Sequence, residues 1–185
     1  ERDNMGEFAK ASSVVSFKPG SKFENHFHDN GEEIFVLEGT FSDQYGDYPK
    51  GTYIRNPHDT NHMPFSNDGC KILVKLRQFK DGDNTSIIKN TLTSEWFQGL
   101  VPGLKVMPLH EYKTEHAAMV QWQPDTQFNA HKHWGGEEIF VIDGVFYDEF
   151  GSYPKGTWIR SPHLSEHKPF TKEEGALIFV KTGHL

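Results

Sequence analysis

A set of three histidines and one glutamate occurs twice in this 185-residue chain, at the same spacing. The first set is His26, His28, Glu32 and His62, and the second is His131, His133, Glu137 and His167. Each member of the second set follows its counterpart by 105 positions. Residues two apart on a strand point to the same face, so each H-x-H pair presents two imidazoles together. Imidazoles and a carboxylate gathered on one face commonly hold a metal ion, so the sequence predicts two metal sites per chain.

The repeat extends well beyond these residues. Between His26 and Phe65, 24 of 40 positions are identical to those 105 further along. Identity that dense indicates a duplication. We therefore expect two similar domains, residues 1–80 and 93–185, joined by a linker over residues 81–92.

Short alternating segments predict an all-β protein. Runs rich in β-branched and aromatic residues, such as 14–17, 32–38 and 72–76, read as strands, and Asn30-Gly31 is a hairpin signal. The 17 glycines and 10 prolines suit short strands and tight turns, and no long stripe with a 3.6-residue period is present. We expect strands closed into barrels or sandwiches.

Charge and cysteine content exclude several classes of function. The net charge of −7, with both signs interspersed, argues against a nucleic-acid surface, which would need a basic patch. No apolar run approaches the length of a membrane span, and no signal peptide is recognisable. Cys70 is the single cysteine, so we expect a buried thiol, no disulfide within the chain and a reducing, cytoplasmic compartment.

The two sets resemble the paired motifs of the cupin superfamily, whose members are jelly-roll barrels. The first motif, G-x5-H-x-H-x3-E-x6-G, is complete in the first half, and in the second half only its first glycine is replaced, by Asp125. The second motif, G-x5-P-x-G-x2-H-x3-N, is matched at its first glycine, proline and histidine in both halves. Its other two positions are Asp59 and Ser66 in the first half, and Leu164 and Thr171 in the second. This resemblance implies two tandem cupin barrels. It also favours Glu32 and Glu137 over the adjacent Glu33 and Glu138 as ligands.

A closer similarity is to the cupin domain of ChrR-type regulators. The stretches E-E-I-F-V-L-E-G-T-F-S-D and Y-P-K-G-T-Y-I-R-N-P-H carry it, and both recur almost unchanged in the second half. In those regulators the cupin domain follows a helical anti-sigma domain with its own Cys/His zinc site. With one cysteine and no H-x3-C-x2-C arrangement, sigma-factor sequestration by that route is not expected here.

The donor set leaves the metal and the activity open. Three imidazoles and a carboxylate suit zinc, iron, manganese, nickel, cobalt or copper, and we expect zinc or iron, one ion per half. A four-coordinate zinc would be structural, whereas an octahedral ion would keep two positions open.

We expect a binding or regulatory protein that responds to a small molecule or an oxidant. The alternative is a non-haem dioxygenase that cleaves a small diketone or phenol, with isomerase or decarboxylase chemistry as a further option. A homodimer is expected by analogy with other cupins.

Several repeated residues have two interpretations. Tyr48 and Tyr153, like Arg55 and Arg160, either line a metal cavity or pack in the barrel wall, and packing is preferred. His58 and His163 either support a ligand or lie on the surface, and the surface is preferred. Three histidines outside the repeat are expected on the surface: His110, His116 and His184.

Overall fold

The computed structural model describes residues 10–185 and is built from β-strands. The described residues form two compact units, 10–94 and 95–185. No helix occurs in the described range, so the predicted all-β class is confirmed. In the same range no helix is long and apolar enough to cross a membrane.

The part of the first unit that the structure describes, from residue 10 on, contains ten strands. They are β1 (Ala11–Phe17), β2 (Ser21–Lys22), β3 (His26–Phe27), β4 (Glu32–Asp43), β5 (Gly46–Pro49), β6 (Thr52–Asn56), β7 (Asn61–His62), β8 (Phe65–Ser66), β9 (Cys70–Leu76) and β10 (Ile87–Asn90). The main sheet has the order β1-β9-β4-β6-β10 and is antiparallel throughout. β5 and β8 add to the far end of β4, β2 pairs with β8, and β3 pairs with β7 apart from this sheet.

The second unit repeats this plan with nine strands. They are β11 (Phe97–Gln98), β12 (Leu104–Tyr112), β13 (Glu115–Trp122), β14 (His131–Lys132), β15 (Glu137–Asp148), β16 (Gly151–Pro154), β17 (Trp158–Ser161), β18 (Glu166–His167) and β19 (Ala176–Thr182). The order is β11-β12-β13-β19-β15-β16, with β17 paired to β15 and β14 paired to β18.

Alternation along β4 separates two buried faces. Ile34 and Val36 point into an apolar core that also contains Phe17, Phe41, Ile72 and Val74. Glu33 and Phe35 point to the other side of the sheet, where they are also buried. β15 has the same pattern, with Ile139 and Val141 in the core of the second unit. Glu32 and Glu137 share the parity of the core residues, so each begins its strand on the inner face.

The turn at Asn30-Gly31 differs from its prediction. Both residues have positive φ, 60° and 80°, as the sequence signal requires. The strands on either side do not pair with each other, because β3 pairs with β7 while β4 pairs with β6 and β9. The turn is therefore not a hairpin: it carries the chain from the small β3–β7 sheet into the main sheet.

The segment between the halves contains regular structure. β10 lies inside residues 81–92, the range expected to be a linker, and pairs with β6 of the first unit. Residues 93–97 contain a turn, a bend and the start of β11.

Candidate metal centres

Each predicted donor set is brought together on the inner face of its own unit. In the first unit, β3 and β7 pair with His26 directly opposite His62. His28 follows β3, where its N–H bonds to the carbonyl of Thr60, and Glu32 opens β4. One ligand atom from each of the four residues lies within 4.8 Å of every other. His28, Glu32 and His62 are buried, whereas His26 is exposed.

The donor atoms of the first set converge on one point. Nε2 of His28 and Nε2 of His62 each lie 3.3 Å from Oε2 of Glu32. The rings are steeply inclined to one another, with the centroids of His28 and His62 4.5 Å apart and those of His26 and His62 4.9 Å apart. Rings inclined in this way direct their nitrogens at a shared centre instead of stacking.

The outer nitrogen of each ring is held by an acceptor. Nδ1 of His26 lies 3.1 Å from the carbonyl of Glu24, and Nδ1 of His62 lies 3.3 Å from Oδ2 of Asp43. A carbonyl or carboxylate only accepts, so each Nδ1 carries the proton and Nε2 keeps its lone pair for the centre. This is the arrangement by which proteins fix the tautomer of metal-binding histidines.

Asp43 is itself fixed by donors to its other oxygen. Oδ1 accepts from the N–H of Tyr45 at 2.8 Å, the N–H of Gly46 at 3.2 Å and the hydroxyl of Tyr48 at 3.1 Å. Burial opposes ionisation, but the hydrogen bonds from His62, Tyr45 and Tyr48 prevail and lower the pKa of Asp43. Tyr48 packs in the wall, and burial beside Asp43 raises its pKa to about 12. The preferred interpretation of this tyrosine holds: it packs in the wall and supports Asp43, which in turn holds the candidate ligand His62.

The second unit reproduces the arrangement. His131 lies directly opposite His167, and Nδ1 of His131 is 3.0 Å from the carbonyl of Asn129. Nδ1 of His167 is 3.4 Å from Oδ2 of Asp148, whose Oδ1 accepts from Tyr153 at 2.9 Å. Four ligand atoms again lie within 4.8 Å of one another: those of His131, His133, Glu137 and His167.

Several buried donor atoms have no hydrogen-bond partner. They are Nε2 of His28, His62 and His133, and Oε2 of Glu137. A buried polar atom left unsatisfied costs about 1–3 kcal/mol, so burying two of them within each donor set is unfavourable unless something binds there. Lone pairs of neutral imidazoles and a carboxylate oxygen are ligands that divalent transition metals accept. The residues therefore fit a metal ion in each half.

Burial shifts the protonation of these groups in the metal-free chain. It lowers the pKa of His28 to about 3 and that of His133 to about 4, with further lowering from the neighbouring histidines. Both rings are thus neutral near pH 7, the form that binds a metal. Burial also raises the pKa of Glu32, and it raises that of Glu137 to about 8, with Asp148 contributing. A cation at the centre would reverse the carboxyl shifts by stabilising the ionised form.

An apolar cavity adjoins each donor set. The first has a volume of about 270 Å³, and the second about 400 Å³. Around the donors the first is lined mainly by Phe17, Phe23, Phe27, Phe41, Ile72 and Val74. The second is lined mainly by Leu104, Val120, Trp122, Phe128, Phe146 and Ile178. A small, mostly apolar molecule could therefore reach either centre.

The repeated arginines lie away from both cavities. Arg55 is buried on the other side of the sheet, between Glu33 and Asp83, with its guanidinium 3.9 Å from the ring centre of Phe79. Arg160 lies 3.9 Å from Glu138. Neither arginine lines a cavity, so the preferred wall position holds for both.

The histidines outside the donor sets divide into two groups. His58 and His163 lie on surface turns, as preferred, where Nδ1 of each accepts a backbone N–H from Asn30 or Gly135. His116 is exposed, as expected. His110 and His184 were expected on the surface, and this is wrong, since His110 is buried and the side chain of His184 is only 3% exposed. Nε2 of His184 lies 2.8 Å from Oε2 of Glu138, which is on the face of the sheet opposite the metal centre. This contact explains why the ring is not on the surface.

The supporting residues Asp43, Asp148 and Thr60 were not singled out from the sequence as functional. The available signal was that Asp43 and Asp148 occupy the same position of the repeat. An aspartate present at that position in both halves could support the same histidine in each centre. Thr60 is a serine in the second half, so no identity marked it.

Comparison with known proteins finds the same architecture elsewhere. The family described as the ChrR cupin-like domain matches residues 4–80 and, separately, residues 84–185. A candidate dioxygenase from Nostoc punctiforme superposes with a TM-score of 0.81 at 14% identity, over 97% of this chain and 71% of that one. A cupin 2 conserved barrel domain protein from Leptotrichia buccalis gives 0.68 at 12% identity, over 94% and 83%.

Bacillus subtilis oxalate decarboxylase, an enzyme with Mn(II) centres, gives a TM-score of 0.67 at 16% identity, over 94% of this chain and 68% of that one. At such identities these likenesses show the fold alone. No protein with a curated function has significant sequence similarity to this chain.

Proposed function

The chain belongs to the ChrR cupin-like domain family, and we propose that each of its halves binds one divalent transition-metal ion. The ligands would be His26, His28, Glu32 and His62 in the first half, and His131, His133, Glu137 and His167 in the second. The observation that carries this proposal is the presence of buried donor atoms without partners in each set: Nε2 of His28 and His62 in the first unit, and Nε2 of His133 with Oε2 of Glu137 in the second.

Zinc or iron is the proposed ion. The donors are borderline in softness, which suits zinc and iron equally. Manganese is a further candidate, because it is the ion of the Bacillus enzyme that shares the fold. An ion held by these donors would supply Lewis acidity to an oxygen atom of a bound molecule. The protein would hold the rings in one tautomer through Asp43 and Asp148, and the apolar walls would keep water away from the bound molecule.

The function that we propose for these centres is the binding of a small molecule or oxidant, with a regulatory outcome. The apolar cavity next to each donor set supports this. A small molecule could place its apolar part in the cavity and an oxygen atom on the metal ion. Membership of a family named after ChrR-type proteins agrees with a regulatory role. Sigma-factor binding is not part of the proposal.

A non-haem dioxygenase acting on a small diketone or phenol is the second candidate. The exposure of His26 favours it, since a centre reached from solvent can exchange ligands and admit a substrate. In such a reaction Glu32 or Glu137 would either stay a ligand of the ion or accept a proton from the substrate, because each lies among the donors of its centre.

Elemental analysis of the purified protein, followed by a binding and turnover panel of diketones and phenols, separates these functions. Two equivalents of metal per chain, saturable binding and no oxygen uptake would support the binding protein. Iron with stoichiometric oxygen uptake on a diketone would support the dioxygenase instead. Protein that takes up no zinc, iron or manganese after metal-free preparation would contradict both.

We also propose a cytoplasmic location and a homodimer. The single cysteine, Cys70, is a buried free thiol, which agrees with a reducing compartment. Pairing through edge strands is the route by which a second copy would associate.

A further inference from the structure

One aromatic position in the cavity wall differs between the two halves. β1 ends at Phe17, and the residue at the equivalent place of the repeat, at the end of β13, is Trp122. Each lines the cavity that adjoins the donor set of its own unit. Both are buried, at 9% and 6% exposure. The two cavities therefore present different aromatic groups at the same place in the fold.

Packing alone does not require the tryptophan. Phe17 packs edge-to-face against Phe41, with ring centres 5.7 Å apart and planes inclined by 89°. Trp122 makes the same contact with Phe146, at 5.5 Å and 78°. The second cavity is also the larger, at about 400 Å³ against about 270 Å³, so the indole does not serve to fill space. What the tryptophan adds is a hydrogen-bond donor, because phenylalanine has none.

This donor is buried and unsatisfied. Nε1 of Trp122 is shielded from solvent and has no hydrogen-bond partner among residues 10–185. A buried indole N–H usually has an acceptor, because an unpaired one lowers stability. In the same unit Nε2 of His133 and Oε2 of Glu137 share this property, and for them a metal ion would be the partner. For the indole, the missing partner is an acceptor atom of a molecule bound in the cavity.

The indole lies one aromatic ring away from the donor set. Its ring centre is 6.1 Å from that of Phe128, which is 5.1 Å from that of His131. Phe146 lies between the indole and His167 in the same way, with ring centres 5.5 Å and 6.2 Å away. A molecule that contacts both the donor set and the indole therefore has a body about as long as one substituted benzene ring.

We propose that the second centre selects molecules with an oxygen atom at each end of an apolar body. One oxygen lies at the metal centre, and the other accepts a hydrogen bond from Nε1 of Trp122. A phenol that carries an ether or carbonyl oxygen on a para substituent is the class that fits. The first centre, with Phe17 at the equivalent place, does not make this selection. The inference rests on the proposed binding of small molecules at the metal centres and adds which molecules the second one takes.

Two phenols of nearly the same shape test this: para-(methoxymethyl)phenol, and para-propylphenol, which has a methylene group in place of the ether oxygen. Each is titrated by calorimetry into the zinc-loaded full chain. His28→Ala leaves the second centre for measurement, and His133→Ala leaves the first. Because the ether is the more strongly hydrated compound, the two centres are compared by the ratio of the two affinities. We expect this ratio to favour the ether about tenfold more at the second centre than at the first.

Trp122→Phe places the first-half residue in the second half. It should bring the affinity ratio of the second centre to that of the first, because the only donor in question is removed. Trp134→Phe is the matched control: it removes an indole that is 73% exposed and lies outside the cavity, and it should keep the wild-type ratio.

NMR of the indole N–H groups gives a second measurement, which stays valid if Trp122→Phe does not fold. Trp122 is the only buried one of the four tryptophans, so its N–H is the one that exchanges most slowly with solvent. In the zinc-loaded wild-type chain we expect this signal to move downfield with the ether but not with para-propylphenol.

Equal ratios at the two centres, or a ratio at the second centre that Trp122→Phe leaves unchanged, would overturn the inference and leave the proposed function in place. Binding of neither phenol at either centre would overturn the proposed function, and the inference with it.

Discussion

Nδ1 of His28 lies 2.7 Å from the hydroxyl oxygen of Thr60. That hydroxyl donates its own hydrogen to the carbonyl of Pro57 at 2.6 Å, so its oxygen is left to accept from the ring. In the second half the residue at the place of Thr60 is Ser165, whose buried hydroxyl has no hydrogen-bond partner. The hydroxyl of Thr60 thus orients the ring of His28, whereas the hydroxyl of Ser165 does not orient the ring of His133.

This difference predicts unequal effects of removing the two hydroxyls. Thr60→Val loses two hydrogen bonds and leaves the imidazole N–H unsatisfied, so we expect about 1–2 kcal/mol of lost stability. We also expect about tenfold weaker metal binding at the first centre, because the ring is no longer oriented. Ser165→Ala should change stability by less than about 0.5 kcal/mol. Urea unfolding of the metal-free variants and competition with a chelator measure both effects, and equal losses in the two variants would contradict the assignment.

Asp43 and Asp148 are predicted to position one histidine each. Asp43→Asn keeps the shape but removes the charge that holds Nδ1–H of His62, and we expect the first centre to bind metal about 10–100-fold more weakly. Asp148→Asn should do the same at the second centre through His167. Each variant is the control for the other, because its unaltered centre should keep wild-type affinity. Chelator titration resolves the two sites, and a variant that weakens both equally would refute a local positioning role.

Loss of a candidate ligand should remove one metal equivalent at a time. We expect His28→Ala and His133→Ala each to retain about half of the wild-type metal content and the double variant to retain almost none, since each ring serves a different centre. His58→Ala is the matched control, because this histidine lies on a surface turn and should keep its full complement. Elemental analysis after removal of loosely bound metal gives the count. A double variant that keeps all of its metal would refute the ligand assignment.

Much of the fold and of the donor sets could be predicted because both depend on local spacing. Strand periodicity puts His26 and His28 on one face, and duplication places every feature twice. The alternation that sends Glu32 inward and Glu33 outward is equally local, and Glu33 does bond to Tyr53 on the other side of the sheet.

The features that spacing could not predict depend on distant parts of the chain. His184 and Glu138 are 46 positions apart and meet only after β15 and the chain end are folded, so a lone histidine was expected on the surface. The pairing of β10 with β6 requires a return over about thirty residues, and the sequence of residues 81–92 resembles a linker until its partner strand is known. The Asn30-Gly31 signal predicts the turn conformation but not which strands pair on either side.

The buried carboxyl of Glu137 predicts how the metal-free protein responds to alkaline pH. Its pKa rises from 4.5 to about 8 on folding, so its contribution to stability is complete below pH 4.5 and is lost as the pH rises through 8. His133, whose pKa falls from 6.5 to about 4, contributes fully above pH 6.5 and does not mask this loss. With chelator present, we expect stability to fall between pH 6.5 and 8, by up to about 1.4 kcal/mol per pH unit. Glu137→Gln should flatten the decline, and the exposed Glu166→Gln should not. Thermal unfolding over this range measures it, and an unchanged slope in Glu137→Gln would show that this carboxyl is already ionised at pH 6.5.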